Sequence, residues 1–187
     1  MPKIVDHEQF RKEILEKAHA VFRHEGYQAI SLRKLSSELG VTTGTLYHYF
    51  KNKEDLVRAV LENALNESIG GSKGSIFTPR PSSKSFPKHL EDMFKIIEGS
   101  EDNSLTDILL LTDFFRDKSS RISKKEDSLI ALRYLDAFTQ ALNLPEKNKA
   151  EARFVLAYIV GVHLVRLWSG KKAPLSEYAR LLQEKIK

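Results

Sequence analysis

The sequence predicts an all-α protein of about nine helices, with a compact N-terminal unit and a larger C-terminal helical bundle. Apolar residues recur at the three- and four-residue spacing of amphipathic helices along most of the chain. No segment shows the strict apolar–polar alternation of a half-buried strand, and no repeat of fixed period is present. A stretch rich in glycine and proline, residues 68–87, separates the two groups of helices.

The composition is that of an ordinary globular protein. Among the 187 residues, 41% are hydrophobic and 29% are charged, and the net charge is +5. This charge is spread along the chain, so it does not by itself indicate a nucleic-acid partner. Cysteine is absent, which excludes disulfide scaffolds and thiolate metal sites. The charged N-terminus lacks the apolar segment of a signal peptide, and we expect a cytoplasmic protein that does not contact a membrane.

The first helix is predicted from an apolar stripe that ends at a glycine. One helical face carries Phe10, Ile14, Ala18, Val21 and Phe22. Gly26 follows as the residue expected to end the helix. This helix should pack its stripe against the helices that come next.

Three further helices follow at short intervals. Ser31 is the expected N-cap of the second, "SLRKLSSELG", and Gly40 ends it. A short third helix carries Leu46 and Phe50. Asn52 is the expected N-cap of the fourth, "KEDLVRAVLENALNES", whose first turn is acidic and so suits the positive end of the helix dipole.

The rest of the chain should form the bundle. Helical patterns cover roughly residues 87–98, 104–117, 126–143, 147–169 and 175–186. We expect a mobile loop at about residues 70–86, because glycine, serine and proline dominate there. The expected domains are residues 1–55 and residues 56–187.

The second and third helices, joined by "LGVTTG", make a helix-turn-helix pattern. Gly40 can adopt the left-handed conformation that such a turn requires. At 100° per residue, Leu46 and Phe50 share a face of the third helix, whereas Tyr47 and His48 lie away from it. No acidic residue occurs between Glu38 and Glu54.

That acid-free face suits the major groove of DNA. The amides of a helix N-terminus can bind phosphate, and threonine, tyrosine and histidine can bond phosphate oxygens or base edges. Arg33 can reach guanine or a phosphate, and Lys53 is placed to hold the neighbouring strand. Spacing alone leaves a second interpretation open, in which the pair is an ordinary structural hairpin with its tyrosines in a core.

The run "ILEKAHAVFRHEGYQAISLRKLSSELGVTTGTLYHYFKNKEDLVRAV" resembles the N-terminal domain of tetracycline-repressor-like (TetR/AcrR) transcriptional regulators. The resemblance covers residues 10–58 and includes "F..GY" and "L..L...LGV..GTLY.YF..KE.L". It implies an all-helical homodimer in which the second and third helices dock on DNA, while the C-terminal helices bind a ligand and dimerise. The DNA-binding residues that we expect are Ser31, Arg33, Thr42, Thr43, Gly44, Thr45, Tyr47, His48, Tyr49 and Lys53.

The C-terminal bundle contains one helix that is apolar on nearly all faces, "FVLAYIVGVHLVRLW", and such a helix must be buried on all faces. We therefore expect it to pack on its own bundle and on a second subunit; the alternative is the central helix of a monomeric bundle. The expected interface residues are Phe154, Tyr158, Val162, Val165, Trp168 and Leu181.

An effector pocket should be apolar and aromatic. The candidates for its lining are Phe94, Phe114, Tyr134, Phe138, Tyr158 and His163. His163 and Arg166, the polar residues of the apolar helix, can anchor the polar end of a ligand, or they can make a buried or inter-subunit hydrogen bond.

The leading hypothesis is a ligand-responsive repressor that binds a pseudo-palindromic operator in double-stranded DNA as a homodimer and is released by a small apolar or aromatic effector of unknown identity. An all-helical small-molecule binding or interaction protein is the alternative. An enzyme is disfavoured, because no paired carboxylate–histidine constellation is present. The segment "GGSKGS" fails the phosphate-loop pattern, since no strand leads into it. The sequence predicts no metal site and no cofactor.

Overall fold

The computed structural model describes residues 6–69, 86–99, 101–116, 124–142, 149–170 and 174–186. Within these ranges the chain forms nine α-helices and no strand, which confirms the all-α prediction. The helices are α1 (His7–Glu25), α2 (Leu32–Leu39), α3 (Thr43–Tyr49), α4 (Lys53–Ile69), α5 (Phe86–Gly99), α6 (Glu101–Arg116), α7 (Lys124–Ala141), α8 (Lys149–Ser169) and α9 (Leu175–Ile186). The expected mobile loop at about residues 70–86 lies outside the described residues, except for Phe86, which begins α5.

Side-chain caps begin the first four helices. The Asp6 carboxylate accepts hydrogen bonds from the amides of Glu8 and Gln9 at the start of α1. Ser31 Oγ accepts from the Lys34 amide, and Thr42 Oγ1 accepts from the Thr45 amide. Asn52 Oδ1 accepts from the Asp55 amide at 2.7 Å. These bonds satisfy amides that have no partner within their own helix, and they confirm Ser31 and Asn52 as N-caps.

Gly26 and Gly40 end helices with a positive φ angle. Gly26 follows α1 with φ 82°, and Gly40 follows α2 with φ 68° and ψ 29°. The Gly40 values are those of the left-handed helical region, which a Cβ atom disfavours. The sharp turn between α2 and α3 therefore depends on this glycine, as its sequence position indicated.

The chain divides into two compact units, Met1–Ala64 with Thr106–Ile130, and Leu65–Leu105 with Ala131–Lys187. The divisions fall within α4, α6 and α7. The proposed domain boundary between residues 55 and 56 stays a prediction.

The first unit buries the apolar stripes of α1 to α4. Phe22, Leu35, Leu46 and Phe50 are all at most 1% exposed. From α6, Phe114 joins this core, and its ring meets the Tyr27 ring edge-on at 5.8 Å between centroids. Helix α3 is thus held by its own apolar residues, which leaves its other faces available.

The second unit is built around α5, α7, α8 and α9. Its core contains Leu90, Met93, Phe94, Phe138, Ala141, Leu142, Ala152, Val155, Ile159, Val162, Leu175, Ala179 and Leu182. The Leu175 amide donates to Glu98 Oε1 at 3.2 Å, so α5 supplies a carboxylate at the N-terminus of α9. None of the helices in the described ranges combines the length and apolar character needed to cross a bilayer.

Candidate nucleic-acid interface

Helix α3 presents an aromatic and polar face to solvent. Tyr47 is 57% exposed and His48 is also exposed, whereas Leu46 and Phe50 are buried. The helical projection from the sequence is therefore confirmed for these four residues. Gly44 is exposed one turn before His48, and no acidic residue lies within α3.

The threonines at the start of α3 are bonded to one another and to α2. Thr42 Oγ1 lies 2.8 Å from Thr45 Oγ1, in addition to accepting the Thr45 amide. Thr43 Oγ1 lies 3.0 Å from Ser36 Oγ, and Ser36 in turn donates to the Arg33 carbonyl. The turn is therefore stabilised internally. Since a hydroxyl has one donor and two acceptor sites, these bonds are compatible with further contacts to DNA.

Tyr49, one of the expected DNA-binding residues, turns toward α1. Its hydroxyl lies 2.8 Å from His7 Nδ1, and its ring packs at 5.8 Å from Phe10. His7 also lies beside His48, with 6.3 Å between ring centroids. Sequence reasoning missed His7, because 42 residues separate it from Tyr49 and no local pattern connects them.

The cationic candidates differ in their surroundings. Arg33 is exposed near the start of α2. The neighbouring Lys34 pairs with Glu25 at 2.7 Å, and this pairing lowers the pKa of the Glu25 carboxyl. Lys53, at the first position of α4, is half-buried, and its ammonium lies 4.1 Å from the centre of the Tyr27 ring. No local sequence pattern indicates this cation–π contact.

The residues considered for an effector pocket do not all come together. Phe94, Tyr134, Phe138, Tyr158 and His163 belong to the second unit, whereas Phe114 belongs to the first and packs on Tyr27. Phe94 and Tyr158 meet at 6.4 Å, and the Tyr158 hydroxyl donates to the Tyr178 carbonyl at 3.0 Å. Burial, with a smaller contribution from Tyr178, raises the pKa of Tyr158.

His163 is 2% exposed, and its Nδ1 donates to the Ile159 carbonyl at 3.1 Å, one helical turn earlier. This is a buried hydrogen bond within α8, one of the two roles considered for this residue. Arg166, one turn later, is also buried.

A groove of about 240 Å³ lies between α5 and α9 within the second unit. Phe94 and Ala179 supply its apolar part, and Glu91, Lys95, Glu98 and Arg180 surround it with charge of both signs. Lys95 is already paired with Glu91 at 2.7 Å. Phe94 is thus the member of the expected pocket lining that also borders this groove.

Of the residues expected at a dimer interface, four are exposed and two are partly or fully buried. Phe154, Val165 and Trp168 on α8 are 53%, 51% and 77% exposed, and Leu181 on α9 is 42% exposed. Tyr158 is half-buried, and Val162 is 6% exposed inside the core of the second unit. Helix α8 therefore packs one face inward and leaves large apolar side chains on another.

Comparison with known proteins adds an independent finding. Residues 14–60 match the family model of bacterial regulatory proteins, tetR family. The HTH-type transcriptional regulator SAB2452 of Staphylococcus aureus is 44% identical over 59 residues, which are 32% of this chain and 32% of that protein. The match thus spans about a third of the relative's length.

Solved structures match over most of the chain. The transcriptional regulator FadR from Bacillus subtilis, in complex with stearoyl-CoA, has a TM-score of 0.61 at 19% identity, covering 92% of this chain and 95% of that one. A TetR transcriptional regulator from Rhodococcus sp. RHA1 has a TM-score of 0.62 at 15% identity, covering 96% and 97%. At these identities the likeness shows the fold.

Proposed function

From the match of residues 14–60 to the family model of bacterial regulatory proteins, tetR family, we propose that the chain is a ligand-responsive transcriptional regulator that binds operator DNA as a homodimer. The relatives that match over the N-terminal domain are named HTH-type transcriptional regulators. The fold of the described residues is similar to that of a TetR transcriptional regulator from Rhodococcus sp. RHA1, which supports that role. We propose repression as its regulatory effect, and no enzymatic activity.

The observation that carries the DNA-binding proposal is the division of α3 into a buried and an exposed face. Leu46 and Phe50 anchor the helix, and Tyr47 and His48 project from the exposed face of a helix that contains no acidic residue. A helix held in this way can enter the major groove, where its exposed side chains meet base edges and phosphates. A purely structural hairpin would have no need to expose Tyr47.

Within that surface, the proposed roles follow from position. Thr42 and Thr45 lie at the N-terminus of α3, where amides and hydroxyls can bind phosphate. Gly44 allows the backbone to approach the DNA, and Arg33 can read guanine or bind phosphate. Ser31, Thr43, Tyr49 and Lys53 complete the proposed set. For Thr43 and Tyr49 the internal bonds favour positioning of α2, α3 and α1 over base recognition.

Homodimerisation is proposed through α8 and α9. Phe154, Val165, Trp168 and Leu181 are large apolar side chains on the surface of the second unit, and burying them in a second copy would remove them from water. Two-fold symmetry would then provide two α3 helices for the half-sites of a pseudo-palindromic operator.

The proposed effector is a small apolar or aromatic molecule that binds in the second unit. The core of this unit is rich in aliphatic and aromatic side chains. A solved protein of the same fold is in complex with stearoyl-CoA, whose acyl chain is long and apolar, and this supports an apolar effector. Such a molecule would release the operator only by its differential affinity for the two states of the protein.

Substitution of Tyr47 or His48 by alanine tests the proposal. We expect each variant to lose about tenfold or more in affinity for a duplex selected by the wild-type protein from a random-sequence pool, because each loses a base or phosphate contact. Fluorescence anisotropy measures the affinity. Leu129→Ala, another exposed residue, is the matched control and should bind as wild type does.

Thermal unfolding and sedimentation should be unchanged in both variants, since the two side chains lie on the surface. Unaltered operator affinity in both would show that the wrong face of α3 has been assigned to DNA. A wild-type protein that selects no duplex would favour the alternative, a helical small-molecule binding or interaction protein.

A further inference from the structure

Tyr27 contacts the proposed DNA-binding cation directly. The Lys53 ammonium lies 4.1 Å from the centre of the Tyr27 ring, well within the distance at which a cation is attracted to an aromatic face. Tyr27 is 0% exposed, so its ring is a fixed part of the core of the first unit. The contact therefore joins the long, flexible side chain of Lys53 to the buried ring of Tyr27.

The position of the Tyr27 ring is set from two other elements. Gly26, with φ 82°, redirects the chain at the end of α1 and places Tyr27 in the loop before α2. Phe114 of α6 meets the ring edge-on, with an interplanar angle of 85° and 5.8 Å between centroids. This is a favourable geometry for two aromatic rings and leaves the tyrosine little freedom to rotate.

A cation held in this way is prepared for a phosphate. A lysine side chain that is free in solution loses considerable rotamer freedom when it binds, and this loss weakens binding. The Tyr27 ring limits that freedom before DNA arrives. An ammonium has three N–H groups, so contact with a ring on one side is compatible with a phosphate on another.

We propose that Tyr27 is a positioning residue for DNA binding: its ring, braced by Phe114, holds the Lys53 ammonium at the start of α4 for a backbone phosphate. The inference rests on the proposed function and assigns a role in it to a buried residue that does not touch DNA. It also makes the loop after α1 and the end of α6 part of the DNA-binding apparatus.

The test weakens the ring's attraction for cations without changing its shape. Tyr27→Phe serves as the reference, and a trifluorinated phenylalanine is then introduced at position 27, since fluorine withdraws electron density from the ring face. Binding to the selected duplex is measured across a salt series, with Lys53 present and in a Lys53→Met background. The same fluorinated residue at Phe22, a buried aromatic of α1, is the control for effects on core packing.

With Lys53 present, we expect fluorination at position 27 to weaken operator binding about two- to fivefold relative to Tyr27→Phe. In the Lys53→Met background, fluorination at position 27 should leave operator affinity unchanged. The Lys53→Met substitution alone should reduce the salt dependence of operator binding by about one counterion. Fluorination at Phe22 should leave affinity unchanged in both backgrounds.

Equal losses in both backgrounds would show that Tyr27 acts only through core packing and would overturn the inference. Unchanged affinity with Lys53 present would overturn it as well. In either case the unmodified protein still binds its duplex, so the proposed function stands. An unmodified protein that selects no duplex would overturn both.

Discussion

At the scale of single residues, Asp107 on α6 joins two residues of α1. Its carboxylate accepts two bonds from the Arg23 guanidinium and lies 2.7 Å from His19 Nε2, both on α1. Burial alone would raise the pKa of Asp107, but the bonds to His19 and Arg23 outweigh burial and lower it. A bidentate, partly buried arginine–carboxylate pair is among the stronger polar contacts in proteins. Asp107 is therefore expected to fasten α6 to α1.

Asp107→Asn should lower the free energy of unfolding by about 1–3 kcal/mol at neutral pH, because it removes a charged acceptor and leaves two donors poorly bonded. Urea unfolding measures the change. Glu91→Gln is the comparison, since Glu91 forms ion pairs at an exposed site and should matter much less.

The stability difference between the wild type and Asp107→Asn should depend on pH, and the direction of that dependence follows from the pKa shift of Asp107. The pKa of Asp107 is lower in the folded protein, so its contribution is present above the unfolded value of about 4 and is lost as the pH falls through the folded value. The gap between wild type and Asp107→Asn should therefore narrow below about pH 4. A gap that stays constant with pH would assign the loss to packing instead of charge.

At the scale of elements, α2, α3 and the turn that joins them contain two glycines with different conformational requirements. Gly40 has φ 68°, and a Cβ atom there would meet no atom within 4 Å outside its immediate neighbours. Glycine is therefore required at position 40 by the left-handed backbone conformation and not by lack of space for a side chain. Gly44 lies inside α3, where a Cβ atom would make an ordinary contact of 3.6 Å with Thr42 Oγ1. Folding alone permits alanine at this second position.

Gly40→Ala should destabilise the protein by about 1–2 kcal/mol, the cost of a left-handed backbone in a residue with a side chain. Gly44→Ala should be neutral or stabilising by up to about 1 kcal/mol, since alanine favours helix over glycine. Chemical unfolding distinguishes the two variants.

Gly44→Ala should nevertheless weaken operator binding, because its methyl group would lie on the face proposed to approach DNA. Full operator affinity in this variant would contradict the close backbone approach proposed at Gly44.

At the scale of the whole molecule, the exposed apolar side chains of α8 favour burial against a second subunit. Trp168 is 77% exposed and Phe154 is 53% exposed on a helix whose opposite residues form the core of the second unit. Transfer of apolar area from water contributes about 25 cal/mol per Å², so a second copy that covers these residues would be stabilised substantially. The proposed dimer follows from this unmatched surface.

Phe154→Glu and Trp168→Glu should convert the dimer to monomer without unfolding it, because both side chains lie at the surface. Sedimentation velocity measures the state, and Leu129→Glu, at another exposed apolar residue, should remain dimeric. Operator affinity should also fall when the dimer is lost, since a monomer contacts only one half-site and binds it weakly. A wild-type protein that sediments as a monomer would contradict the proposal.

The sequence by itself determined the features that depend on neighbours along the chain. The caps at Ser31 and Asn52, the turn at Gly40, and the division of α3 into buried Leu46 and exposed Tyr47 each need only a few consecutive residues. Their physical causes, hydrogen bonding of terminal amides, backbone sterics and helical periodicity, are local.

Only the tertiary structure decided the contacts between residues distant in the chain. The bond between Tyr49 and His7, the position of Lys53 over Tyr27, and the pairing of Asp107 with His19 join residues 26 to 88 positions apart. Periodicity shows which face of a helix is buried but not which partner covers it, because packing depends on how all the helices assemble. For the same reason, the sequence could not show that Phe114 belongs to the first unit and the other aromatic pocket candidates to the second. All of these residues are aromatic side chains on predicted helices, and periodicity does not distinguish them.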